Sequence, residues 1–410
     1  MVKSVKEILE AHGKVEREVY LDLENSSPIF PEVVKEMLPY FCEKAYGNPT
    51  LTHKQGWGAY QTILDVAEKT AKYLGASSPE EINFVGSEVE ANNLALVGVA
   101  LHYKGRGKKI VISNSEPVTI DLISDFLAKE GFKVVKVPVD DEGFIKEDEL
   151  LKNIDKETIL VSLATVNPEI GTIQPIKEIV EKVKEKNPET VFHTDASDAY
   201  GRIDFNVKNL GVDLATISSY KIQGPRGVSV LYVKEGIKVS RLFEGPIGFQ
   251  QFWLGVENTP LIVGFGKASE ICFQNFFEDV QRMKSLRDRL INGVLESVDK
   301  TILNGPRGDK RAPDNVNISF LRCEGEALTI ELSLRGVYVS GGSACTRRML
   351  QPSHILMAIG RKHEEAHGSI LMKISRRHTV EDIDYVLEQI PKAVNRLRSL
   401  SPNMGEGKVV

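Results

Sequence analysis

The sequence predicts an α/β fold, a large and mostly parallel sheet flanked by helices, followed by a smaller α+β domain. Two observations predict it. From about residue 60, short apolar runs alternate with charged segments of helical length, and after about residue 270 the texture changes to longer helices with a few strands. In the first part Ile63, Val66, Ala67, Ala71 and Leu74 recur at helical spacing, and Ile82–Val85 reads as a short strand. Further strands are expected at Lys109–Ser113, Val134–Val139, Thr158–Val166, Thr190–Thr194, Leu214–Ser218 and Val228–Val233, with a helix over Ile176–Lys186. Such alternation places functional groups at the carboxyl ends of parallel strands. Near the end of the chain, Ile383, Val386, Leu387, Ile390, Val394 and Leu397 form one apolar helix face, and Pro391 is expected to kink that helix.

At 410 residues the chain exceeds one small core, so two domains are expected. The division reads as a large α/β domain over 18–270 and a smaller one over 271–402 joined by 1–17, with 403–410 a mobile tail. The composition, 41% hydrophobic and 27% charged, is that of a globular protein, and the net charge of -5 argues against a broad nucleic-acid footprint. No apolar run approaches the roughly 18 residues of a membrane span, and the first residues carry no apolar signal core. Cys42, Cys272, Cys323 and Cys345 lie far apart with no CxxC pair, so neither a disulfide framework nor a metal site is expected, and the setting reads as reduced and cytoplasmic.

Two residues carry the chemistry. Lys221 follows the apolar run Asp213–Ser219, and Asp195 closes the run Thr190–Thr194. A lysine at a strand end is, by itself, most often a surface lysine. An amine and a carboxylate delivered by two strand ends are, however, what pyridoxal 5'-phosphate (PLP) requires: the amine forms a Schiff base with its aldehyde, and the carboxylate keeps its ring nitrogen protonated. Cys345 sits after Gly341-Gly342-Ser343 and before Arg347-Arg348. A lone cysteine is commonly a small buried hydrophobe. Here a flexible, basic surrounding favours an exposed thiolate, the nucleophilic form.

Ser218-Ser219-Tyr220-Lys221 followed by Gly224-Pro225-Arg226-Gly227 resembles the lysine segment of class V aminotransferases, and with Asp195 it most resembles the cysteine desulfurases. Other landmarks follow in order: Tyr20-Leu21-Asp22, Gly47-Asn48-Pro49, Glu90-Ala91-Asn92-Asn93, Val166-Asn167-Pro168-Glu169-Ile170-Gly171-Thr172, Ser343-Ala344-Cys345, Gln351-Pro352-Ser353-His354 and Glu365-Ala366-His367-Gly368. The resemblance covers residues 18 to 400 and implies the PLP-dependent transferase fold of type I. It also implies a catalytic Lys221 and Cys345, and cofactor contacts from Lys221, Asp195, Asn167, Ser218, Asp198 and Tyr220. Arg376 is implied to clamp the substrate carboxylate, a role suited to a planar fork, with Asn167 also near the substrate. Arg377 stands where an aromatic is usual, so the arginine assignment is open by one position, and Asn167 also reads as a turn asparagine.

The family pattern breaks around the cofactor. Its phosphate-binding turn reads Gly86-Ser87-Glu88-Val89-Glu90 here, which removes a threonine hydroxyl at Val89 and adds a carboxylate at Glu88. Pro117 replaces a stacking histidine, Asp198 a glutamine, and Tyr220 a histidine. Trp253-Leu254-Gly255-Val256 replaces the segment that a second subunit lends to the phosphate. The first expectation is a cysteine desulfurase that converts L-cysteine to L-alanine and leaves a persulfide on Cys345, acting as a homodimer and passing sulfur to an acceptor or iron–sulfur scaffold protein. The competing expectations are a cofactor-poor scaffold in sulfur or cluster assembly, and a selenocysteine lyase or another class V aminotransferase.

Overall fold

The computed structural model describes residues 15, 17–245, 248–341 and 352–400. Its strands are β1 (Val19–Tyr20), β2 (Ile82–Val85), β3 (Lys109–Ser113), β4 (Lys133–Val137), β5 (Thr158–Ser162), β6 (Val191–Asp195), β7 (Leu214–Ser218), β8 (Ser229–Val233), β9 (Thr301–Leu303), β10 (Asn315–Phe320), β11 (Val337–Tyr338), β12 (Ser340–Gly341) and β13 (Ser369–Lys373). The chain divides into two compact units. One contains Ser26–Pro168 and Thr172–Val280, and the other contains the described residues up to Asn25, Glu169–Gly171 and those from Gln281 on.

The first unit is built on a seven-stranded sheet in the order β2-β8-β7-β6-β5-β3-β4. β8 runs antiparallel to β2 and β7, and the other neighbours are parallel. β3, β5, β6 and β7 are buried along their whole length, as central strands covered on both faces must be. At the edge, β4 (KVVKV) keeps lysines outward, which discourages pairing with other chains. The strands begin and end within a few residues of the sequence expectation. β5 is the exception, stopping at Ser162 rather than Val166. Beyond it the Leu163 and Thr165 amides still bond to the His193 and Asp195 carbonyls, but the intervening Ala164 N–H is taken by the Glu116 carboxylate.

Helix Glu88–Asn93 continues through a widened turn at Leu94–Gly98 into Val99–Tyr103, and with helix Val118–Lys129 it packs on the sheet around Leu94, Leu96, Ile110, Ile112, Ile120 and Leu160. Helices Lys54–Leu74 and Thr259–Gln274 also belong to this unit, and a methyl group at Gly266 would lie 2.9 Å from Val66, so glycine permits their close approach. Inside the sheet, His193 joins three strands: Nδ1 lies 2.8 Å from Ser162 Oγ and Nε2 lies 3.1 Å from Thr216 Oγ1. Burial pushes this imidazole down to about 3, so it is neutral and structural.

The second unit holds an antiparallel sheet, β12-β13-β10-β9, and a parallel pairing of β1 with β11. Arg311 is fully buried and satisfied by the Pro306 carbonyl at 2.6 Å, Asn315 Oδ1 at 2.7 Å and the Asn304 carbonyl. Helix Val380–Leu400 buries Ile383, Val386, Ile390 and Val394 as expected and runs through Pro391 without ending. No helix among the described residues is long and apolar enough to cross a membrane.

Candidate active site

The carboxyl ends of β3, β5, β6 and β7 converge on one buried polar cluster in the first unit. Asp195 is the last residue of β6 and Ser218 the last of β7, and Lys221 follows in a single tight turn, Tyr220–Ile222. That turn ends on Gln223 at φ 60, a left-handed conformation that costs a non-glycine residue about 1–2 kcal/mol. Surrounding contacts hold it there: Gln223 donates to the Pro28 carbonyl at 3.3 Å, its own carbonyl accepts from Phe30, and Gly224 N–H bonds to Ser219 O. Gly224 is required, because a β-carbon would sit 2.4 Å from Ser219 Oγ.

The turn buries Lys221, whose side chain is 4% exposed, and Nζ donates to Asp198 Oδ2 at 3.1 Å. Asp198 is equally buried. Burying two charges is tolerable only when they meet. Asp195 accepts from Asn92 Nδ2 at 2.8 Å and from the Ser197 amide at 2.9 Å. Its carboxyl is raised above the usual range, chiefly by burial and then by the charge of Asp198, while the Asn92 and Ser197 bonds oppose the rise. Glu116, after β3, is pushed up to about 7 by burial, with Asp195 adding to the effect against bonds from Ser113 Oγ and Ala164 N–H. Asn167 donates to the Ser115 carbonyl at 2.7 Å, a bond that also fits its reading as a turn asparagine.

Ser218 Oγ is fully buried and has no hydrogen-bond partner among the described residues. Tyr220 hydroxyl donates to Glu88 Oε1 at 3.1 Å. Glu88 therefore faces Tyr220, and this hydroxyl is already committed as a donor. In the turn ahead of helix Glu88–Asn93, Gly86 N–H bonds to Glu90 Oε2 and Glu90 N–H to Ser87 Oγ. Pro117 supplies no aromatic ring and serves instead as the residue that precedes helix Val118–Lys129. Leu254 and Val256 are exposed, beside Trp253, whose indole N–H bonds to the Val256 carbonyl.

The structure thus brings together Lys221, Asp198, Asp195, Ser218, Tyr220 and Asn167 in one unit. Arg376 belongs to the other unit, is half-buried and accepts from Arg282 on its carbonyl. Cys345, with Arg347 and Arg348, lies outside the described residues. Two participants were not identified as site residues from sequence. Asn92 stood inside a quoted motif without a role; Glu116 carried no local signal, since a charged residue between Ser115 and Pro117 reads as surface. Replacing Asn92 with Leu removes a donor from a buried carboxylate and is expected to destabilise the fold by about 1–3 kcal/mol. Denaturant unfolding checks this, and an unchanged midpoint would refute the proposed support of Asp195.

The chain resembles known proteins along most of its length. The aminotransferase class-V family model matches residues 19–386. The cysteine desulfurase IscS of Clostridium botulinum is 42% identical over 387 residues, covering 94% of this chain and 96% of that protein. Cysteine desulfurase IscS 1 of Archaeoglobus fulgidus is 41% identical, covering 93% and 98%. Among solved structures, a NifS-like protein superposes with a TM-score of 0.86 at 33% identity, covering 93% of this chain and all of that one. With a family model spanning most of its length and relatives of this identity along it, the chain belongs to the class-V aminotransferase family and, within it, to the cysteine desulfurases.

Proposed function

We propose that this chain is a PLP-dependent cysteine desulfurase that converts L-cysteine to L-alanine and carries the sulfur as a persulfide on Cys345. The observation that carries this reading is the buried amine of Lys221, paired with Asp198 in the turn that follows β7, in the same unit as the anchored carboxylate of Asp195 at the end of β6. The residues present fit the cofactor at three points. Lys221 Nζ would hold its aldehyde carbon, Asp195 its ring nitrogen, and the unpartnered Ser218 hydroxyl its phosphate. Asn167, Asp198 and Tyr220 would line it. When bound, PLP supplies a carbonyl for the substrate amine and a protonated ring that withdraws electrons from the substrate Cα.

The chain's own groups do the rest. Asn92 and the Ser197 amide fix the Asp195 carboxylate in one orientation, so no reorganisation is needed when charge develops. Lys221 Nζ moves the Cα proton of bound cysteine. Arg376 grips the substrate carboxylate with its planar fork. The Cys345 thiolate attacks the substrate sulfur; an S–S bond forms as the C–S bond breaks, and the carbon is protonated to alanine. A second copy of the chain and a sulfur-accepting or iron–sulfur scaffold protein complete the proposed set of partners.

The test is direct. The purified protein is incubated with PLP, desalted and examined for visible absorption, then given L-cysteine and dithiothreitol. Retained cofactor absorption with alanine and sulfide in equal amounts is expected. Protein that retains no PLP and forms no alanine would overturn the reading in favour of a cofactor-poor scaffold. The Glu88–Tyr220 pair is what favours that second reading, because it sets a carboxylate within the turn that the resemblance assigns to a phosphate.

A further inference from the structure

We infer that Asp198 is a positioning residue for Lys221, holding its amine protonated and thereby setting the pH range over which this lysine is nucleophilic. The inference rests on the reading of Lys221 as the cofactor's lysine, and the geometry behind it is local. Lys221 Nζ is 3.1 Å from Asp198 Oδ2, with both side chains almost completely buried.

A buried ammonium without a partner loses its proton readily, whereas one beside a carboxylate keeps it. The other charged or titratable groups around Lys221 do not do the same work. Asp195 is committed to Asn92 and Ser197. The Tyr220 ring lies 5.6 Å from Nζ, and its hydroxyl is bonded to Glu88. Arg202 contacts the Lys221 carbonyl and adds positive charge, which opposes protonation of the amine. Glu116, which senses the charge of Asp195, is bonded to Ser113 and Ala164. Among the described groups above, Asp198 is the carboxylate seen in hydrogen-bond contact with the amine. A neutral glutamine at this place, as the sequence resemblance led one to expect, would not hold the charge.

The consequence concerns any reaction at Nζ. Only the neutral amine has a lone pair to form a bond to carbon, so a proton must leave first. Asp198 makes that departure harder at neutral pH and fixes the position of Nζ through their contact.

The experiment is competitive labelling of the full chain, freed of any bound cofactor, with acetic anhydride from about pH 5 to about pH 10. The neutral amine attacks the anhydride carbonyl, a C–N bond forms and acetate leaves, and mass spectrometry reads the acetylated fraction of the Lys221 peptide. Asp198→Asn is expected to move the midpoint of Lys221 labelling down by about 2 pH units relative to wild type. Asp198→Glu, which restores the charge, is expected to return it towards the wild-type value. If Asp198→Asn unfolds, as circular dichroism would show, the comparison is made between wild type and Asp198→Glu against the exposed lysines of the same digest. A wild-type and Glu-variant midpoint at least as high as those lysines supports the inference, and one well below them overturns it.

Coincident profiles for wild type and a folded Asp198→Asn would overturn it, as would a Lys221 that stays unlabelled at every pH. The labelling does not depend on PLP. Failure of the desulfurase reading would show in the absorption and alanine assays instead, so the two failures are distinguishable.

Discussion

Lys221→Ala is expected to lower alanine and sulfide formation from L-cysteine by at least about 1,000-fold and to remove the visible absorption of protein incubated with PLP. The magnitude follows from the roles that one amine combines. A group that moves the Cα proton, the role proposed for this amine, contributes about 10²–10⁴-fold by itself, and a covalent anchor also governs how firmly the cofactor is held. The substitution has a structural side effect that must be separated from the chemical one. Removing Lys221 leaves Asp198 buried without its cation, at a cost of about 3–5 kcal/mol for breaking a buried pair. The double variant Lys221→Ala/Asp198→Asn removes both charges and is expected to recover most of that stability while remaining inactive. Urea unfolding gives the first comparison and alanine quantification the second. Turnover within about tenfold of wild type in the single variant would exclude Lys221 as the reacting amine.

Cys345→Ser is expected to separate cofactor chemistry from sulfur transfer. The variant retains PLP absorption and its change on adding cysteine, because Lys221, Asp195 and Ser218 are untouched. Alanine and sulfide formation fall by at least about 100-fold, since a serine hydroxyl is not ionised at neutral pH and is a poor nucleophile towards sulfur. Mass spectrometry of the wild-type protein after cysteine treatment without reductant is expected to find one added sulfur on the Cys345 peptide. Wild-type rates in the serine variant would rule out the persulfide route. They would instead favour a class V aminotransferase that has no use for a thiol.

Most of the first unit's strands were legible because their signals are local. Runs such as Lys109–Ser113 and Leu214–Ser218 are apolar from end to end, as strands buried on both faces require, and they fall where β3 and β7 lie. The β5 boundary was misjudged because chain departure there depends on a carboxylate from Glu116, 48 residues away. The helix face of Ile383, Val386, Ile390 and Val394 was legible from the same kind of local signal, and the helix continues through Pro391.

The site divides along the same line. Lys221 and Asp195 were legible as an amine and a carboxylate at strand ends, because residue type and immediate neighbours carry those signals, while Cys345 lies outside the described residues. Sequence by itself thus determined the family and most of the strand order, and it named the residues on which the proposed chemistry rests. Which polar group meets which was decided only by the tertiary structure: Asp198 with Lys221, Asn92 with Asp195, and Tyr220 with Glu88. The reason is physical. A buried donor or acceptor must find a partner among whatever groups the fold brings near it, and strand ends separated by tens of residues become neighbours only when the sheet closes.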